Sequence, residues 1–487
     1  MHLSKLISVL KALDNPTLKS FTEYVNSDYF KVPKASVQLF NYLGKLHPNY
    51  SETKIRPAVI TAKVPNLKSG AKQAKAGTEL LQAFEDFIAM EDCRGNERGV
   101  AWHQLHSFSK LHLSDLFNKQ YDEVQENLNL CPEQDVDTFF YRQQYTELYF
   151  NSLSGRLDRS IQNDITPVLK TLDEYYALKK LRYLCEAINR KNVHGIDFKS
   201  QHIQILLEIL QPYDNERYPY VHLFINVFRM LSATTYEDSE LPYLMLKQAA
   251  AKYDKKKLST GLAECVASAI SSCLFWSSQG VEKAEREYLW WIEFKIKWNL
   301  LLENDKITPI AFRNIVSCAT IYGTNPEWVR QFIKVYSVNL PEEHRETNVA
   351  FGLGLYFYSI KDHATAIRYF LNAQAKEEVV FNAIIRRWQW MSTYEANPNE
   401  TDLLLNQILA FEKYLLRNKA EFHQYKTAFT TFTTYCKKLI SGNSRKEQIE
   451  TIDALHSEKH FPGKNWLLQQ FTIATQRVRF SDERTFA

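Results

Sequence analysis

The chain has 487 residues, 45% of them hydrophobic, which is enough to bury a substantial core as two or three domains or as one extended array. Its 14 Gly and 15 Pro lie well below average usage and disfavour glycine-rich architectures such as dinucleotide-binding sheets and β-sandwiches, so helices are the economical reading. A net charge of +4 demands no polyanionic partner, and seven cysteines, odd in number and without CxxC spacing, fit reduced thiols in a cytoplasmic protein.

The N-terminal stretch MHLSKLISVLKALDNP lacks an apolar h-region, so no secretory signal is expected. Leu3, Leu6, Ile7, Leu10 and Leu13 recur at helical spacing, and Asn15 followed by Pro16 reads as a cap and first-turn proline for a second helix. A third opens at Ser36, which makes residues 1–50 a small helical bundle. Residues 51–78 change character. From Thr53 to Thr78 there are six basic residues, among them Lys63, Lys68, Lys72 and Lys75, and no acid, with Pro57, Pro65 and Gly70 interspersed. This reads as a basic linker, or as a surface for a polyanion held by Coulomb attraction and counterion release. Residues 79–215 form a middle helical region, with breaks at Arg94-Gly95-Asn96, at Ser114-Asp115 and at Cys131-Pro132-Glu133, and with two helices between Leu157 and Asn192.

Residues 216–487 carry a looser periodicity. First helices of hairpins are expected near Pro219, Leu258, Thr308, Thr347, Val380 and Lys419, divided by turns at Ser278-Gln279-Gly280, Gly323 to Pro326, Asn397-Pro398-Asn399 and Ser441-Gly442-Asn443. A hairpin cannot bury its apolar face alone, so such units must stack. The stretch from Trp466 carries Leu467, Leu468, Phe471 and Ile473 at helical spacing and would cap the array. No run reaches the roughly 18 apolar residues that a membrane helix requires.

The clearest unit is AFGLGLYFYSIKDHATAIRYFLNAQAKEE, from Ala350 to Glu378, where small and apolar residues follow one side of each of two helices broken at Lys361-Asp362. It resembles the tetratricopeptide repeat, with Ala350 in place of the first aromatic and Glu378 in place of the closing Pro. The resemblance implies an all-α fold of stacked helical hairpins, a tetratricopeptide-like α-solenoid or superhelix, following the N-terminal bundle. It also implies a partner-binding groove lined by Asn348, Phe351, Leu355 and Tyr358 in this unit, and by Asn382, Ile385 and Gln389 one repeat on. Leu355 stands where the subclass that clamps a carboxylate has Asn, so the implied groove is apolar and amide-lined and suits a peptide.

No phosphate loop, zinc helix or nucleophile elbow is present in the sequence, and no catalytic residue, metal or cofactor is assigned. His456 with His460, and His103 with His106, have ligand-like spacing but only two candidates each. Cys265 and Cys273 share a face of an Ala- and Ser-rich helix and read as packing. Arg386 and Arg387 precede Trp388 and Trp390 and point about 100° apart on a helix. The function expected is a non-enzymatic scaffold binding a partner protein or peptide. The alternative is a nucleic-acid-binding protein using residues 54–75 and the cluster Lys252, Lys255, Lys256 and Lys257.

Overall fold

Apolar residues at helical spacing and a shortage of Gly and Pro leave the chain little alternative to helices, and the computed structural model is built from them. It describes residues 3–132, 134–154, 164–194, 196–215, 217–252, 260–323, 325–375, 378–422, 425–441 and 444–485. These residues form 25 α-helices with a few 3₁₀ turns and no strand beyond an isolated bridge between Glu303 and Lys306. None of the described helices is long and apolar enough to cross a membrane. The chain divides into two units, one of residues 1–131 and 138–172 and the other of residues 132–137 and 173–487.

The first unit contains α1 (Ser4–Ala12), α2 (Asn15–Asn26), α3 (Lys34–Gly44), α4 (Glu52–Ile55), α5 (Pro57–Lys63), α6 (Gly70–Gly95), α7 (Glu97–Lys110), α8 (Ser114–Leu130) and most of α9 (Val136–Ser154). Its first core joins Leu6, Leu10, Phe21, Leu39, Phe40 and Leu43 to Ile60, Val64, Leu67, Leu80 and Phe87. The stretch expected as a basic linker is therefore folded into the bundle. Gln73 explains how a segment so rich in loop residues is held: its buried Nε2 lies within hydrogen-bond distance of the Pro57 carbonyl at 3.0 Å, Thr61 Oγ1 at 3.0 Å and the Leu67 carbonyl at 3.2 Å. Ser36 Oγ also donates to Glu79 on α6 at 2.5 Å. The second core gathers Leu105, Phe117, Val124, Leu128 and Tyr145 from α7, α8 and α9. The cap of α2 is Asp14, which accepts from the Thr17 N–H at 2.9 Å, with Asn15 already inside the helix.

The second unit takes α10 (Thr166–His194) from Asp173, then α11 (Ile203–Leu210). The two helices expected between Leu157 and Asn192 are one from Thr166 onward, and residues 155–163 lie outside the described residues. Then follow α12 (Pro219–Ser232), α13 (Tyr236–Lys252), α14 (Thr260–Ser278), α15 (Glu282–Lys297), α16 (Pro309–Tyr322), α17 (Pro326–Tyr336), α18 (Glu342–Ser359), α19 (His363–Asn372), α20 (Val379–Ala396) and α21 (Thr401–Arg417). The last four are α22 (Lys419–Phe422), α23 (Lys426–Ile440), α24 (Arg445–Ser457) and α25 (Lys464–Thr485). Caps define their starts: Thr308 accepts from the Ala311 N–H at 3.2 Å, Asn325 from Glu327 at 3.0 Å and Asp362 from Thr365 at 3.1 Å. Leu258 lies outside the described residues, and Thr347 falls inside α18, which already starts at Glu342.

The packing in this unit is between near neighbours in sequence. Helix α12 lies on α13 and α14, α16 on α17 and α18, α18 on α19 and α20, and α20 on α21. Two glycines of α18 set close approaches to its neighbours. A β-carbon on Gly354 would stand 2.6 Å from the Phe370 ring on α19, and one on Gly352 would stand 3.0 Å from Ile333 on α17. Phe357 and Tyr369 stack beside that contact with ring centroids 5.3 Å apart. Gly354→Ala is accordingly expected to lower stability in urea by about 1–3 kcal/mol. Gly44→Ala, whose new β-carbon meets nothing within 4 Å, should shift it by less than about 1 kcal/mol. Equal losses in the two variants would contradict the close approach.

Candidate functional site

Helix α20 reads VVFNAIIRRWQWMSTYEA and is apolar on nearly every side, so it needs cover all round. Phe381, Ala383, Ile385, Trp388, Trp390, Met391 and Tyr394 are all buried. Helices α18, α19, α21 and α22 flank it. The remaining side is closed from α23 and α25: Phe432 meets Trp390 edge-on at 6.1 Å, and Trp466 meets Trp390 at 5.9 Å and Tyr394 at 5.6 Å. Glu395 fixes that contact by accepting from Trp466 Nε1 and Gln470 Nε2, each at 2.9 Å. Trp390 Nε1 donates to the Leu404 carbonyl at 3.0 Å.

Within this apolar setting lies Arg387, of which 8% remains exposed. Among the described residues no carboxylate lies within ion-pair reach of it. Its Nε is enclosed and unpartnered, and its guanidinium lies 5.4 Å from the Trp388 ring centroid. Burial pushes its pKa down to about 10, against the pull of the Tyr322 and Tyr358 phenols, which favour the charged form. The turn before α25 lies along its stem: Gly463, at φ +99°, has room for no β-carbon, which would stand 2.9 Å from Phe432 and 3.8 Å from Arg387 Cδ. Leaving a buried charge uncompensated costs roughly 3–5 kcal/mol in pairs that lose a partner, so an enclosed Arg387 is costly.

Polar groups continue on either side of it. Glu285 of α15 accepts from Ser277 Oγ at 2.7 Å, while its Oε2 is enclosed without a partner, and burial raises the pKa of the Tyr322 phenol of α16. Tyr358 of α18 packs between His363 at 5.2 Å and Trp388 at 5.1 Å, and burial raises its phenol pKa. His363 Nδ1 and Trp388 Nε1 are also enclosed and unpartnered, and burial lowers the imidazole pKa. Of these residues Glu285 and Arg387 are buried and Tyr322, Tyr358 and His363 half-buried, and they come from five helices. Together they present one cation, two phenols and an imidazole, with enclosed polar atoms on Glu285, Arg387 and His363 that have no hydrogen-bond partner.

The residues expected to line a groove fall elsewhere. Asn348, Phe351, Leu355 and Ile385 are buried in the core and cannot line an open groove. Asn348 Nδ2 donates to the His344 carbonyl at 2.6 Å. Asn382 is engaged by the turn before its own helix, accepting from the Ala375 N–H at 3.0 Å and donating to the Ala375 carbonyl at 2.7 Å. Tyr358 and Gln389 keep partial exposure. The buried ones share one cause: they lie on the sides of α18 and α20 that pack against neighbouring helices.

Of the basic residues, Lys63, Lys68, Lys72 and Lys75 are exposed on the first unit, Lys75 lying 3.9 Å from Glu79, and Lys252 is exposed at the end of α13. Lys255, Lys256 and Lys257 lie outside the described residues. His460 falls beyond the end of α24 and so shares no helix face with His456, and Trp102 stacks on His106 at 5.1 Å. Among the described residues no group of three or more His, Cys, Asp or Glu could hold a metal ion. Cys265 and Cys273 are buried in α14, where burial pushes the Cys273 thiol up to about 12. Arg386 leaves the band and stacks over Tyr414 at 4.7 Å.

Sequence reasoning missed Glu285, Tyr322 and His363, and took Arg387 only as a stacking partner. The available signal was a charge at the centre of an otherwise apolar helix. Compared with known proteins, the chain matches no family model, no curated protein and no solved structure.

Burial holds the Glu285 carboxyl above its ordinary range, against the opposing hydrogen bonds from Tyr322 and Ser277. The folded protein therefore keeps a proton that the unfolded chain has already released, so stability falls as pH rises through that window. Glu285→Gln is expected to unfold at a higher temperature than the wild type at pH 7, the difference closing below about pH 4. Thermal melts across that range check it, and a pH-independent difference would contradict it.

Proposed function

We propose that the second unit is a tetratricopeptide-like stack of helical hairpins that binds a partner protein or peptide and performs no chemistry of its own. One observation carries the reading. Helices α12, α16 and α18 each pack on the helix that follows and on the next helix but one, which is the neighbour pattern expected when hairpins stack their first helices. The close approaches at Gly352 and Gly354 fit the small positions of such a repeat. Because α20 is sealed by α25, the first-helix surface left for a partner centres on half-exposed Gln389 and Tyr358.

The second reading, nucleic-acid binding, has its own observation in the exposed Lys63, Lys68 and Lys72 of the first unit. The two separate in a capture experiment with immobilised protein and cytosol, with and without nuclease. The partner reading expects a protein that survives nuclease, falls at least about tenfold with Gln389→Arg and is unaffected when Lys63, Lys68 and Lys72 are changed to Glu; tenfold corresponds to about 1.4 kcal/mol. Nucleic acid retained by the wild type and lost only in the charge-reversed variant would replace the first reading with the second.

A further inference from the structure

We propose that the cavity between α7 and α9 in the first unit is a binding site for one uncharged planar ring of the nucleobase class, held by stacking on aromatic walls and by an amide at its edge. The site stands on the first unit alone and does not rest on the partner-binding reading of the second, so either can fail without the other.

The cavity measures about 170 Å³ and is lined by Gly99, Trp102 and His103 of α7 and by Phe140, Tyr141 and Gln144 of α9. Its size suits a ring, since an engineered cavity of about 150 Å³ takes up benzene. It is also built before any guest arrives. Asn96 Oδ1 accepts from the Gly99 N–H at 3.0 Å while its Nδ2 donates to the Tyr141 hydroxyl at 2.7 Å, and the Tyr145 hydroxyl donates to the Arg98 carbonyl at 2.8 Å. These bonds tie the first turn of α7 to α9. Gly99 keeps the backbone bare between them, where a β-carbon would press to 3.2 Å from Asn96 and 3.4 Å from the Tyr141 hydroxyl. His106 stacks on one face of Trp102 with centroids 5.1 Å apart, and His103 meets the indole edge-on at 5.0 Å, which fixes the ring in place.

The lining selects among guests. Four of the six lining residues carry rings, and none is Asp, Glu, Lys or Arg. An anion would meet electron-rich ring faces with no Lys or Arg to offset them. A metal ion would find one imidazole and no carboxylate or thiolate. An ammonium would gain from the ring faces but would find no carboxylate to pair with. Gln144 decides in favour of a base. Its Nε2 gives one hydrogen to Gln143 Oε1 at 2.6 Å, which leaves a second N–H to donate and Oε1 to accept. A donor and an acceptor side by side match the N6 and N7 edge of adenine.

The test is ligand-observed saturation-transfer NMR on the full chain, with adenosine, purine riboside, indole and tetramethylammonium as separate probes. Adenosine is expected to bind with a Kd on the order of 1 mM and more tightly than indole or tetramethylammonium. Trp102→Ala should weaken it at least about tenfold, because a stacking surface is lost. Purine riboside lacks the amino group at the paired edge, so the wild type should bind it about fivefold more weakly than adenosine, and Gln144→Leu should bind the two equally. Should Trp102→Ala fail to fold, His103→Ala, at an exposed position, is expected to weaken adenosine at least about threefold.

A wild type that shows no transfer to adenosine at about 10 mM overturns the site. So does a folded Trp102→Ala or His103→Ala protein that binds adenosine as tightly as the wild type. Tighter binding of indole overturns the base in favour of an aromatic side chain, and tighter binding of tetramethylammonium overturns it in favour of a cation. A hexamer of deoxyadenylate separates the two sources of a base. Binding at least about tenfold tighter than adenosine supports the site with a single strand as its guest, provided it falls with rising salt and when Lys63, Lys68 and Lys72, exposed on the same unit, are changed to Glu. A hexamer that binds no more tightly than adenosine supports the site with a free nucleoside as its guest and overturns the strand.

Discussion

The contact on which the second unit depends is the one between Glu395 and the last helix. A carboxylate at the end of α20 accepts from Trp466 and Gln470 on α25, and this sets the Trp466 indole against Trp390 and Tyr394. Without that cover, α20 would present a row of aromatic side chains to water, about 0.025 kcal/mol for every Å² left bare. With it, α20 becomes an interior helix, and α18 and α21 have a complete surface to pack against.

Enclosure on that scale imposes a condition on every polar group inside it. Asn382 meets the condition locally by closing on Ala375, and Trp390 by donating to Leu404. Arg387, His363 and Glu285 each keep an enclosed atom without a partner.

Much of the fold was legible from the sequence because helical periodicity and caps are local signals. The starts at Pro219, Thr308 and Val380 and the turns at Gly280 and Asn397 needed only neighbouring residues to be seen. The close packing at Gly354 was legible for the same reason, from small residues at helical spacing opposite Phe370. What escaped was long-range. Pro57, Pro65 and Gly70 read as a linker, but a single amide, Gln73, holds three points of that stretch together from a position that spacing cannot reveal. The groove positions on α18 and α20 depended on one side of each helix being free, and α25, nearly seventy residues beyond α20, decides otherwise for α20. Glu285, Tyr322, Arg387, Tyr358 and His363 come one from each of five helices, so no local pattern announces them.

Amide hydrogen exchange of the wild type against a Trp466→Ala, Gln470→Ala double variant tests the central claim most directly. If α25 seals α20 in a stack of near neighbours, protection is lost first in α20, then in α18 and α21, while α1 to α3 of the first unit exchange as before. A variant in which α20 keeps its protection, or in which every helix of the protein loses it together, would contradict the account.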